Sequence, residues 1–239
     1  MATSKWDEVA ESYNEIFEKD TYYLDIISRI GSEVRAEEGQ IILDLGCGTG
    51  NLMAHLLETC PDSHVSGVDP SPNMIEICAS RFAGNPRAEL SQGDGTRVGF
   101  LSEHFDYAVS NIALHHVLPE LRARCAGEIA RVLKPGGVLV YSDMFTEASG
   151  GARDPGRCRD VVEKMVAYAL HNLDLGAYEK MLFLLEQIPR HIRLEGEYMT
   201  TVDEWLGHLQ QGGFQKLEVI HVPHPEFGYR IIRGIKAPY

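Results

Sequence analysis

Basic residues, paired cysteines and long apolar runs are scarce or absent in this sequence of 239 residues. The 22 Lys and Arg face 35 Asp and Glu, and a formal net charge of -13 disfavours binding to the anionic backbone of nucleic acids. No run of about eighteen apolar residues is present, as a membrane-spanning helix would need. The first residues also contain no apolar segment of the signal-peptide type. We therefore expect a cytoplasmic protein that does not enter a membrane, and a nucleic-acid partner is disfavoured.

The cysteines are too scattered along the sequence to indicate a disulfide framework. They are Cys47, Cys60, Cys78, Cys125 and Cys158, an odd number with no C-x-x-C pair. Such a set fits a reducing compartment better than disulfides or a zinc site. No ligand set for a magnesium site is evident either, so the sequence predicts no metal.

What the sequence does contain is an alternation of short apolar strands and amphipathic helices from 41 to 144. Strand patterns occur in IILDL, HVSGVD, AELSQGD, FDYAVSN and VLVYSDM. Ser71 followed by Pro72 predicts a helix start, and Pro135 with Gly136 predicts a turn before the fifth strand. This order predicts an α/β fold in which helices cover both faces of a mostly parallel sheet.

The segments on either side of this region have other patterns. Residues 1–40 have helical spacing and predict an N-terminal helical cap. Residues 145–200 begin with a loop and continue as two amphipathic helices, which predicts a lid inserted late in the chain. Residues 201–239 predict a helix capped by Thr201 and then an antiparallel hairpin, which would complete a seven-stranded sheet.

Three glycines follow the first strand within the segment ILDLGCGTGN: Gly46, Gly48 and Gly50. Because glycine is costly to order, we infer that a ligand needs close approach to this backbone, at the carboxyl edge of the sheet. The dinucleotide fingerprint G-x-G-x-x-G would need a further glycine where this chain has Asn51. An NAD-dependent dehydrogenase is therefore disfavoured.

Further motifs follow in a fixed order. Asp69 ends the second strand, Asp94 lies in QGDGT after the third, and the segments FDYAVSNIALHHV and RVLKPGGVLVYSD contain the fourth and fifth. Together with DLGCGTG, these motifs resemble those of the class I S-adenosylmethionine-dependent methyltransferases. The resemblance covers roughly 41–144 and implies a Rossmann-like fold with S-adenosyl-L-methionine as cofactor.

The resemblance also implies roles for individual residues. Asp69 would bind both ribose hydroxyls, Asp94 would accept from the adenine amine, and a β-carbon on Gly46 or Gly48 would collide with the cofactor. The implied cofactor-binding set is Tyr13, Tyr23, Asp44, Gly46, Cys47, Gly48, Asp69, Pro70, Met74, Asp94, Gly95 and Asn111. Structural interpretations stay open, because Asp44 could brace the turn, Asp69 could cap a helix and Asp94 could belong to a polar turn. Tyr13 lies in WDEVAESYNEIF, which resembles the N-terminal helix of ubiquinone/menaquinone-type methyltransferases.

The chemistry implied is methyl transfer to a small molecule by in-line displacement, for which the protein mainly aligns donor and acceptor. His115 and His116 follow Asn111, and either could orient or deprotonate the acceptor or simply pack. His115, Arg190 and Tyr178 are candidate acceptor-binding residues. The lid side chains could equally pack on each other or on a second subunit, so a homodimer stays open.

A second resemblance extends beyond the core. YYLDIISRIGSEV and PRHIRLEGEYMTTVDEWLGHLQQGGF are similar to carboxy-S-adenosylmethionine synthase, an enzyme of tRNA wobble-uridine modification. It implies that Tyr23 and Arg190 reach the cofactor, with the guanidinium paired to an added carboxylate. The chain departs from that family by having GCGTG in place of GCSLG. A non-catalytic S-adenosylmethionine-binding protein is the remaining alternative.

Overall fold

The computed structural model of the protein describes residues 16–17 and 20–238. Tyr13 lies outside the described residues. Within them, helices and strands follow one another as α1 (Thr21–Glu33), β1 (Ile41–Leu45), α2 (Asn51–Thr59), β2 (His64–Asp69), α3 (Pro72–Arg81), β3 (Ala88–Gln92), β4 (Phe105–Asn111), α4 (Arg122–Val132), β5 (Leu133–Met144), α5 (Pro155–Asp174), α6 (Tyr178–Arg193), α7 (Val202–Gln211), β6 (Phe214–His221) and β7 (Tyr229–Lys236). None of these helices is long and apolar enough to cross a membrane.

The strands form one seven-stranded sheet in the order β3-β2-β1-β4-β5-β7-β6. Neighbours from β3 to β5 are parallel, whereas β7 runs antiparallel to both β5 and β6. The predicted Rossmann-like fold with an antiparallel C-terminal hairpin is thus confirmed. The strand order reverses between β1 and β4, and parallel sheets of this kind bind ligands outside the carboxyl ends of the strands at such a point.

Two helix starts follow the predicted capping chemistry. The Ser71 hydroxyl accepts a hydrogen bond from the Met74 amide at 3.2 Å, and the Thr201 hydroxyl accepts one from the Glu204 amide at 3.3 Å. The turn predicted at Pro135 and Gly136 lies within β5, which begins at Leu133, and Gly136 has the φ of 79° that the inner glycine of a type II turn adopts. Phe105 pairs with Leu133 and Tyr107 pairs with Val138, so the intervening residues bulge out of the ladder without ending the strand.

Buried side chains cover the sheet on both faces. On one face Ile26 and Ile30 of α1 belong to the same cluster as Met53 of α2, and on the other Ile129 of α4 belongs with Trp205 of α7. These five side chains are at most 1% exposed. Full burial of an aliphatic side chain contributes about 1.5–3 kcal/mol to the free energy of folding. The helices on both faces therefore hold the sheet, including the edge where the glycine loop begins.

The hairpin of α5 and α6 is held by aromatic and ionic contacts to other parts of the chain. The Tyr168 ring stacks on Phe227, with centroids 4.9 Å apart, and its hydroxyl donates to Asp20. Lys180 of α6 places its Nζ 3.4 Å from Asp20 and 3.2 Å from the ring centroid of Phe17. Burial lowers the pKa of Lys180 to about 8, although the Asp20 carboxylate opposes that shift. The division into cap, core, lid and C-terminal segment stays a prediction.

Candidate functional site

Two adjoining cavities lie at the carboxyl edge of the sheet, beside the glycine loop. The larger has a volume of about 280 Å³, and its lining includes Asp69, Met74, Asp94, Asn111 and His116. The smaller, of about 20 Å³, is lined by residues that include Tyr23, Asp44 and Cys47. Gly46, Gly48 and Asn111 line both, so the two cavities form one crevice.

The loop between β1 and α2 is braced from the end of β2. Asp69 accepts hydrogen bonds from the Gly48 amide and the Ser71 amide, each at 2.9 Å, through different carboxylate oxygens. The Asp69 side chain therefore fixes both the glycine loop and the start of α3. Asp69 also lines the larger cavity, and it can accept further hydrogen bonds there because a carboxylate has about four acceptor sites.

Buried polar atoms without hydrogen-bond partners mark the ends of β1 and β4. They are Oδ2 of Asp44 and both polar atoms of the Asn111 amide. Burial and the charge of Asp69 raise the pKa of Asp44 to about 8, against a hydrogen bond from the Met53 amide that lowers it. Unpaired buried polar groups are costly. A ligand with a cationic or donor group in the smaller cavity would satisfy Asp44, and one with both donors and acceptors would satisfy Asn111.

The backbone around the crevice adopts conformations that most residues avoid. Gly46 and Gly48 have φ values of 71° and 54°, and Ile112, directly after Asn111, has a φ of 53°. A β-carbon on Gly46 would lie 2.3 Å from the Ala113 side chain, whereas one on Gly48 would meet no atom within 4 Å. The protein itself thus excludes a side chain at Gly46, while the space beside Gly48 opens into the crevice. Strained backbone of this kind clusters at ligand sites.

His115 is buried between two carboxylates. Its Nδ1 lies 2.6 Å from Oδ1 of Asp143 and its Nε2 lies 3.1 Å from Oε2 of Glu197, while its amide donates to Oδ2 of Asp143. Burial favours the neutral ring, but the charge of Asp143 and the hydrogen bonds to both acids outweigh it and raise the pKa of His115 to about 10. His115 is therefore protonated at neutral pH.

His116 lines the larger cavity and has the opposite electrostatics. Burial and the neighbouring His115 charge lower its pKa to about 4, so the ring is neutral. Its Nδ1 lies 2.8 Å from the Gly196 carbonyl. Because a carbonyl only accepts, Nδ1 is the protonated nitrogen, and Nε2 has the lone pair.

Comparison with known proteins identifies the family. A family model described as a methyltransferase domain matches residues 42–137. An uncharacterised methyltransferase of Geobacillus kaustophilus is 30% identical over 213 residues, which are 87% of this chain and 86% of the relative. The chain belongs to the class I S-adenosylmethionine-dependent methyltransferases. It is also 30% identical to a demethylmenaquinone methyltransferase of Clavibacter sepedonicus, over 91% of this chain and 84% of that one.

A solved structure agrees at the level of the fold. Human N-acetylserotonin methyltransferase, crystallised in complex with S-adenosylmethionine, aligns with a TM-score of 0.64 at 14% identity, over 97% of this chain and 56% of that one. At that identity the likeness shows the fold alone. The relatives therefore establish the enzyme class, and this likeness supports the sheet architecture of the methyltransferase.

The structure gathers most residues of the predicted cofactor set around the crevice. Asp94 accepts from the Thr96 amide at 2.7 Å and lines the larger cavity, as do Pro70, Met74 and Gly95. Cys47 lines the smaller cavity, and a hydrogen bond with Cys78 together with burial holds its pKa well above the usual value. Cys47 is therefore a thiol at neutral pH and a poor nucleophile.

Three side chains of the predicted acceptor set lie elsewhere. Tyr178 is 60% exposed at the start of α6. Arg190 donates to the Glu195 carbonyl at 3.2 Å, and neither Arg190 nor His115 is among the residues lining the two cavities.

Neither Glu197 nor Asp143 is among the residues that the sequence predicted for the site. Asp143 does accept from the Met144 amide, but it also holds His115. His191, at the end of α6, lies 3.6 Å from Oε2 of Glu197. No local pattern could reveal this cluster, because some eighty residues separate the histidine pair from Glu197.

Proposed function

We propose that this methyltransferase binds S-adenosylmethionine in the crevice and transfers its methyl group to a small molecule. The observation that carries the proposal is the set of unpaired buried atoms of Asp44 and Asn111, two residues that line the crevice beside Gly48. When bound, S-adenosylmethionine supplies a methyl group already activated by its sulfonium. The remaining task of the chain is to align the acceptor and exclude water.

The cofactor-binding roles follow from the two ends of the crevice. Asp44, Asn111 and Tyr23 at the smaller cavity suit the amino-acid end, where the ligand ammonium would pair with Oδ2 of Asp44. Asp69 suits the ribose, because its carboxylate is held in place by backbone amides and can accept further hydrogen bonds. Asp94 suits the adenine amine at the far side of the larger cavity.

His116 is the residue we propose for contact with the acceptor. A ring with a pKa of about 4 is a weak base, so it orients a donor group through Nε2 and does not remove a proton of high pKa. His115 is protonated and therefore cannot serve as a base. It positions the loop that presents His116, through Asp143 and Glu197.

A small-molecule acceptor is supported by the curated relatives. One full-length relative is named as a demethylmenaquinone methyltransferase. The net charge of -13 further disfavours a nucleic-acid acceptor. A homodimer stays a prediction.

The carboxy-S-adenosylmethionine synthase alternative requires Arg190 beside the cofactor. In the structure its guanidinium donates to the Glu195 carbonyl, and Glu195 lies in the same turn region after α6. No contact of Arg190 favours that alternative, although Tyr23 does line the smaller cavity.

Two measurements test the proposal. Isothermal titration of the full chain with S-adenosylmethionine should show one site with micromolar affinity, weakened by Asp69→Asn and unchanged by the exposed control Asp62→Asn. Mass spectrometry of co-purifying small molecules should then identify an acceptor whose addition yields S-adenosylhomocysteine. Absence of cofactor binding would refute the proposal, and binding without turnover for any co-purifying compound would favour a non-catalytic protein.

A further inference from the structure

A cluster of nitrogen and oxygen donors lies beside the larger cavity and has no role in the proposed cofactor binding. His115, His116 and Glu197 each offer one ligand atom, and these atoms all lie within 4.8 Å of one another. His191 adds a third imidazole, with its Nε2 3.6 Å from the same glutamate oxygen. Three histidine rings therefore converge on Oε2 of Glu197.

Two of the three distances between donors, those that end on Glu197, match the distances around a tetrahedral ion. Donors at about 2.05 Å from a zinc ion in tetrahedral geometry are about 3.3 Å apart. Nε2 of His115 and Nδ1 of His116 lie 3.1 Å and 3.4 Å from Oε2 of Glu197. A small inward shift of side chains would accommodate an ion between these atoms.

The surroundings of the cluster have the features of a built site. The Nδ1 of His115 lies 2.6 Å from Asp143, so a carboxylate orients the ring and leaves Nε2 directed at the cluster. In metal sites, the imidazole that binds the metal typically donates its other ring N–H to a carboxylate in this way. Asp143 is itself fixed by two backbone amides, those of His115 and Met144.

We propose that His115, His116 and Glu197 bind a divalent transition-metal ion that accepts nitrogen and oxygen ligands, with zinc the best match. Imidazole with a single carboxylate suits zinc better than magnesium or calcium, which prefer oxygen alone. On binding, His115 releases its Nε2 proton to solvent, and the proton of the neutral His116 ring moves from Nδ1 to Nε2, which breaks the hydrogen bond to Gly196.

The position of the site gives the ion a place near the acceptor. His116 lines the larger cavity, so an ion bound to its ring would lie beside the space proposed for the acceptor. There it could hold an acceptor oxygen and polarise it. This role rests on the proposed function, whereas the binding of the ion does not.

Cobalt titration of the chelator-treated full chain tests the site without any methyl transfer. The expected result is a visible d–d band that saturates at one Co²⁺ per chain and is displaced by Zn²⁺. Glu197→Gln should abolish the band, and Asp143→Asn should weaken affinity about tenfold or more. Glu195→Gln is the matched control, because that side chain is 55% exposed, and it should titrate like the wild type.

Far-ultraviolet circular dichroism must show that each variant is folded, and His116→Gln serves as a second ligand variant if Glu197→Gln is not. A folded wild type without the band, or a folded ligand variant with an unchanged titration, would overturn the proposal. Either result would identify the cluster as a metal-free ion-pair network. Calorimetry with S-adenosylmethionine on the chelator-treated protein tests the proposed function separately.

Discussion

Cofactor binding should release a proton from Asp44. With a pKa of about 8, this carboxyl is about 90% protonated at pH 7 in the unliganded protein. A ligand ammonium within about 4–6 Å lowers a carboxyl pKa by about 1–3 units, which leaves Asp44 at most about half protonated. Binding at pH 7 should therefore release about half to nearly one proton per chain.

Calorimetry in buffers with different ionisation enthalpies measures this number, because the observed heat then varies linearly with the buffer enthalpy. Asp44→Asn should remove the buffer dependence and weaken affinity about 10-fold to 100-fold, through loss of a charge-assisted hydrogen bond of about 1.5–3 kcal/mol. The exposed control Asp62→Asn should keep the wild-type proton release. Proton uptake by the wild type, or the same release from Asp44→Asn, would refute the assignment of Asp44.

The sign of the pH dependence of stability follows from the same group. Because the folded-state pKa of Asp44 lies above its ordinary value of 3.8, its contribution to folding is complete below that value and is lost as the pH rises to about 8. Chemical denaturation of the unliganded protein should show this decline between pH 4 and 8. Asp44→Asn should make the profile flatter, and an unchanged slope would contradict burial as the cause.

Three further predictions follow from local contacts. Asp69→Asn removes the acceptor of either the Gly48 or the Ser71 amide. It should lower the free energy of unfolding by about 1.5–3 kcal/mol in urea titrations and weaken cofactor binding in calorimetry. Unchanged stability and affinity would show that the hydrogen bonds of Asp69 are dispensable. Gly46→Ala should destabilise the protein more than Gly48→Ala, because only a side chain at Gly46 collides with Ala113. Gly48→Ala should lower the free energy of unfolding by about 1–2 kcal/mol because of its positive φ, and its methyl group should block the crevice. Equal stabilities would contradict the packing argument. Between pH 8 and 10.5 Lys180 should add a rise to the free energy of unfolding, since its lowered pKa penalises folding below that window. Lys180→Met should remove this contribution, and equal pH slopes for the wild type and the variant would contradict the assignment.

The strands and most helices could be predicted because their signals are local. Apolar periodicity, the Ser71 cap and the glycine run act within a few residues, and the structure confirms the sheet they predict. The predicted start of the fifth strand after Pro135 and Gly136 was wrong, because β5 already begins at Leu133, which pairs with Phe105. A bulge lets the ladder continue through residues that would otherwise end it.

The predicted cofactor residues lie together because parallel strands all end at one edge of the sheet. Asp69 and Asn111 close their strands and Asp44 is the second-last residue of β1, so strand order alone brings them to one crevice. No comparable rule predicts which residues contact the methyl acceptor. Tyr178 and Arg190 have suitable chemistry, but the packing of α6 leaves Tyr178 in solvent and turns Arg190 towards a neighbouring carbonyl.

The sequence by itself determined the sheet, the glycine loop and the enzyme family, since backbone preferences and hydrophobic periodicity are properties of short segments. Only the tertiary structure decided that His115 is clamped between Asp143 and Glu197, and that His116 is neutral at the cavity wall. Protonation states depend on burial and on charges brought from distant segments. Such long-range contacts arise only when the chain beyond α6 folds back onto the loop after β4.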